Sequence, residues 1–100
     1  MTTTARVSST TNPSVAYTFS VASGSTATFA AFGLSEEERI IFEVPDSSSN
    51  YKPLTYVDGA GRHKTAELST AVRTIKITGP VDARINKPAT ASAVEIVEYT

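Results

Sequence analysis

One hundred residues, 40% of them hydrophobic, with no cysteine and a formal net charge of −1, describe one small domain that folds without disulfides or thiolate metal sites. The balanced charge lacks the basic face that nucleic acid or an anionic membrane surface selects, and no apolar run approaches the ~20 residues that span a bilayer. Threonine and serine are abundant, which favours strands and turns over helices.

Residues 1–13 carry almost no apolar side chains and close on Asn12-Pro13, so they read as a flexible N-terminal arm ahead of a domain covering residues 14–100. The arm also lacks the apolar core of a signal peptide, and a soluble chain is expected. Val15, Tyr17, Phe19 and Val21 then alternate with small polar or alanine positions, the period of a half-buried strand. Ser23-Gly24-Ser25 turns the chain into a second apolar run, residues 26–32, anchored by Phe29 and Phe32. Residues 34–39 allow a one-turn helix through a Ser35/Glu38 capping box, but the short distance to the next strand favours a turn. In residues 40–44 the side chains Ile40, Phe42 and Val44 share one face, while Ile41 on the other face calls for cover from a loop or a second subunit.

Residues 46–50 are a loop, and residues 51–57 read as one strand placed at an edge by Pro53, which cannot donate to a ladder. A tight connection follows at residues 58–61, with Leu68 and Val72 as isolated apolar anchors beyond it. Ile75 and Ile77 face inward on a strand over residues 74–78, and Val81, Ala83 and Ile85 alternate on the next. Between them lies a Gly79-Pro80 turn, and Lys87-Pro88-Ala89-Thr90 leads to a last alternating segment over residues 93–99. Seven or eight short strands at near-regular spacing predict an all-β, single-domain antiparallel β-sandwich of jelly-roll-like form.

Chemistry is sparse. His63 is the single histidine, so no histidine cluster can hold a metal, and a general base there would need Asp58 or Glu67 as its orienting carboxylate. Asp46, Ser48 and Asn50 begin a calcium-loop pattern that fails at Tyr51 and Val57. The run of residues 36–38 is a solvated acidic tip, since adjacent carboxylates on a turn do not face each other across a substrate. Tyr17, Tyr51, Tyr56 and Tyr99 offer the flat rings a sugar site uses, although core or interface placement is the commoner fate of such residues. The expectation is a non-enzymatic protein without a cofactor.

Residues 32–44, Phe32-Gly33-Leu34-Ser35 through Ile40-Ile41-Phe42-Glu43-Val44, resemble the turn-and-strand element of small β-sandwich proteins in tailed-bacteriophage virions. The loop at residues 46–50, the Gly59-Ala60-Gly61 connection, and the Ile75-to-Pro80 and Arg84-to-Thr90 segments follow in the same order, so the resemblance spans residues 15–99. It implies a capsid decoration (cement) protein, or a related head, fibre or tail component, on the capsid surface. Such proteins bind the major capsid protein as symmetric oligomers, often trimers. The candidate contact residues are Thr2, Thr3, Thr4 and Arg6 in the arm, with Ile41 and Val97 on faces opposite the main inward sets. A carbohydrate- or receptor-binding module on the particle surface is the alternative.

Overall fold

The computed structural model describes residues 2–100; side chains are described for all of these except residues 14–16, so the inward alternation expected from Val15 is followed from Tyr17 onward. Eleven strands make up the fold: β1 (Thr3–Thr10), β2 (Ser14–Val21), β3 (Thr26–Phe32), β4 (Ile40–Pro45), β5 (Tyr51–Pro53), β6 (Thr55–Val57), β7 (His63–Thr65), β8 (Glu67–Leu68), β9 (Thr74–Thr78), β10 (Val81–Lys87) and β11 (Val94–Tyr99). No helix among the described residues is long and apolar enough to cross a membrane.

The first sheet has the order β1-β11-β3-β9 and the second β2-β10-β4-β5, with β8 also pairing β4; β6 and β7 form a separate hairpin. Every pairing is antiparallel. The connections β1–β2, β2–β3, β3–β4, β9–β10 and β10–β11 each cross from one sheet to the other. Two sheets wrapped together by crossing connections form a jelly-roll sandwich, as the strand spacing predicts.

The core follows from period two. Ala27, Phe29 and Ala31 on β3 face Phe19 and Val21 on β2, Ile40 and Phe42 on β4, and Ala83 and Ile85 on β10. Phe19, Phe29 and Phe42 meet at its centre, with Phe19 and Phe29 ring centroids 4.8 Å apart and Phe29 and Phe42 5.5 Å apart in tilted geometry. Two glycines let backbones meet where a side chain could not fit. Gly33 adopts φ 101° against the Ala93 carbonyl, and Gly79 lies against the carbonyls of Val21 and Ala22.

The expected flexible arm is a strand. Residues Thr3–Thr10 lie in an antiparallel ladder with β11, Val7 is buried in the core, and Thr2 exchanges backbone hydrogen bonds with Thr100. One apolar residue is enough here because β1 is the outer strand of its sheet and offers the core one position. A register shift between Ala5 and Val7 also breaks the alternation that would have announced a strand.

Three smaller expectations also change. Residues 51–57 split at Leu54, whose N–H donates to the Phe42 carbonyl, and β5 and β6 then join different sheets. Phe32 is no anchor: on β3 it alternates with the buried Ala31 and points outward, 51% exposed. Val72 is exposed as well, whereas Leu68 is fully buried. The segment at residues 34–39 is a turn, closed by mutual Ser35 and Glu38 hydrogen bonds.

The far end of the sandwich is pinned by Lys87. It continues the inward set of β10, is buried, and its Nζ donates to the Asn12 and Pro88 carbonyls and to Thr90 Oγ1 at 2.9, 2.9 and 3.2 Å. Burial lowers its pKa, and the charge of Glu38 partly opposes that shift. The lysine thus joins the β1–β2 and β10–β11 connections without a carboxylate in contact.

Candidate functional site

The ladder registers define the outer face of the first sheet row by row. Ala5, Val97, Ala30 and Thr74 form one row, Thr3, Tyr99, Thr28 and Lys76 the next, and Glu95 with Phe32 a third. These positions alternate with the core residues Ile96, Phe29 and Ile77, so they face away from the other sheet. These rows hold two charged residues, Glu95 and Lys76, five small or apolar ones including Val97, and three threonines. Phe32 supplies most of its exposed apolar surface.

The outer face of the second sheet differs in chemistry. Arg84 on β10 lies opposite Glu43 on β4, with Nε 2.9 Å from the carboxylate, and its guanidinium sits 3.6 Å from the centroid of the Tyr51 ring. That stack occupies one face of the Tyr51 ring. Ser20 and Asp82 are hydrogen-bonded beside it.

The sequence-predicted contact residues separate accordingly. Thr2 and Thr3 are exposed at the end of β1, and Thr3 shares the outer face with Val97. Val97 is 3% exposed, so it shapes that face while offering little surface of its own. Thr4 is half-buried on the inward alternation opposite Glu98. Arg6 is committed within the chain: its Nε is 2.9 Å from Glu98 Oε1 and its guanidinium lies 4.7 Å from the Tyr17 ring centroid. Ile41, half-buried between Asn86 and Glu67 in the ladder, belongs to the second sheet and cannot join the others in one contact. Phe32, expected in the core, and Tyr99, weighed as a sugar-binding ring, are not among the candidate capsid contacts. Counting by two from Phe29 places Phe32 on the outer face, and this is the signal that finds it.

The polar residues weighed for chemistry serve their own loops. Asp46 accepts the N–H groups of Ser48 and Asn50 and the Lys52 ammonium, which lowers its pKa. Asp58 accepts from the N–H groups of Ala60 and Arg62, with Lys64 nearby, and is lowered likewise. Glu67 pairs with Arg39 at 3.5 Å, and His63 is exposed on β7 opposite Val57. Glu38 bridges the Ser35 and Ala91 N–H groups, which holds its carboxyl below the ordinary value. Among the described residues, no group of three or more His, Cys, Asp or Glu side chains is placed to hold a metal.

No protein-family model matches the chain, and no curated protein sequence matches it significantly. Among solved structures it is similar to the SPBc2 prophage-derived protein YomS, with a TM-score of 0.67 and 15% sequence identity over 97% of this chain and 88% of that one. At this identity the likeness establishes a shared fold across nearly the whole of both chains.

Proposed function

We propose that this chain is a non-enzymatic structural protein of a tailed-phage particle, acting as a decoration protein that binds the assembled capsid and stabilises it. The observation that carries the reading is the near-complete overlap of its jelly-roll sandwich with a prophage-derived protein, together with the order of sequence elements that resembles small virion proteins. The contact surface we assign is the outer face of the β1-β11-β3-β9 sheet, centred on Phe32, Val97 and Tyr99, with the major capsid protein as partner.

Size decides how such a face would work. Four strands at ~4.8 Å spacing and five residues at ~3.4 Å give a footprint of roughly 300–400 Å². A standard interface covers about 800 Å² per partner, so one copy binds weakly and several must act together. A trimer on a symmetric lattice meets that need through effective concentration. Because the ligand binds only the assembled shell, it stabilises that shell by mass action.

The test is co-sedimentation of the purified protein with heads from cells carrying its gene. The wild type should pellet saturably, and Phe32→Asp should lose at least tenfold in apparent affinity while keeping its circular dichroism. Equal pelleting of both proteins would remove the sheet face from the proposal, and no pelleting of either would remove capsid binding.

A further inference from the structure

The first sheet has two open margins, β1 and β9. The register of β1 shifts twice, which blunts it as a template for another strand. That of β9 runs unbroken from Thr74 to Thr78. The Arg73 carbonyl and the Gly79 N–H both bond toward β3, so by the period of two Ile75 and Ile77 pair with β3 as well. Thr74, Lys76 and Thr78 therefore turn their N–H and C=O groups to the free margin.

Beside that margin runs a groove of about 360 Å³ between β9 and the β6–β7 hairpin, floored by Leu54, Ala66, Ile75 and Ile77 and walled by Tyr56. Tyr56 and Val72, two large hydrophobic side chains that are exposed, stand on this flank. Open backbone groups, an apolar floor and an exposed ring together are the features of a strand-accepting edge. The charges select its occupant. Lys76 and Arg73 have no carboxylate partner among the described residues, while on the flank beside Tyr56 Lys64 shares the Asp58 carboxylate with Arg62 and Arg39 is paired with Glu67. A second copy pairing antiparallel about the centre of β9 would set Lys76 against Lys76, which is repulsive.

We propose that the β9 margin is a binding site for an extended, acidic segment of a partner protein, which adds as a fifth strand to the β1-β11-β3-β9 sheet. Its main chain pairs with Thr74, Lys76 and Thr78, alternate apolar side chains enter the groove, and its carboxylates meet Lys76 and Arg73. The site adjoins the outer sheet face, with which it shares Thr74 and Lys76, but its open margin and groove do not depend on the capsid reading.

The probe is a blocked nine-residue peptide of alternating valine and threonine with two glutamates at each end, titrated into ¹⁵N-labelled protein. Saturable shifts and slowed hydrogen exchange are expected at the Thr74, Lys76 and Thr78 amides. A peptide with lysines in place of the glutamates should bind at least tenfold more weakly, and Lys76→Glu should narrow or reverse that preference while leaving the rest of the spectrum in place. Peptides N-methylated along either edge in turn supply the backbone control: one of the two must lose binding. Absence of saturable shifts at millimolar peptide, equal binding of both methylated forms, or shifts centred elsewhere would overturn the site. Dimerisation of the wild type that Lys76→Glu alters would overturn the acidic occupant in favour of a second copy.

Discussion

Replacing Val7 by alanine separates a strand from an arm. Val7 is 4% exposed and packs in the core cluster from the outer strand of its sheet. The substitution removes two methyl-sized groups, worth ~1.6 kcal/mol of transfer free energy at ~0.8 each. The space left adds to this at ~24 cal/mol per Å³, and for ~30 Å³ incompletely refilled the addition is ~0.7 kcal/mol. The expected loss is thus ~2 kcal/mol, or roughly 8–16 °C in Tm for a domain of this size. Urea denaturation followed by circular dichroism measures it, with an unchanged slope showing that both proteins unfold from the same state. A flexible arm would give a change within about 0.5 kcal/mol, and that result would refute the placement of β1.

Other consequences follow from single contacts. Lys87→Met should cost about 2 kcal/mol in the same assay, because its charged donor groups serve two carbonyls and a hydroxyl whose loss outweighs the relief of burying a cation. Gly33→Ala sets a methyl against the Ala93 backbone at a left-handed φ, and should destabilise by about 2–4 kcal/mol, seen as a lower urea midpoint. Glu38, Asp46 and Asp58 all have lowered folded-state pKa values, so their stabilisation is fully present above the ordinary carboxylate range and is lost as pH falls through the lowered values. Tm measured from pH 6 to pH 2 should therefore fall more steeply for the wild type than for Glu38→Gln.

Strands with two or more inward side chains were legible in the sequence, because alternation in residues 40–44, 74–78 and 81–85 reports a buried face directly. What escaped were places where one residue does the work of several. β1 offers the core a single valine and is held by its ladder to β11, a long-range pairing that leaves no local pattern. The break at Leu54 depends on the carbonyl of Phe42, twelve residues earlier, and nothing in residues 51–57 announces it. Lys87 reads as a surface residue by type, yet its alternation with Ala83 and Ile85 points it inward. Phe32 shows the opposite error, with hydrophobicity weighed above register. Of the candidate contacts, Thr3 and Val97 were placed together by the fold, while Arg6 was claimed by Glu98 and Ile41 by the opposite sheet.

The capsid reading is tested most directly by imaging purified particles from cells that carry the gene. The account predicts density fitting this sandwich at symmetric positions on the outer shell, with the β1-β11-β3-β9 face turned toward the capsid. Particles that lack this density, with the chain left in the soluble fraction, would contradict it.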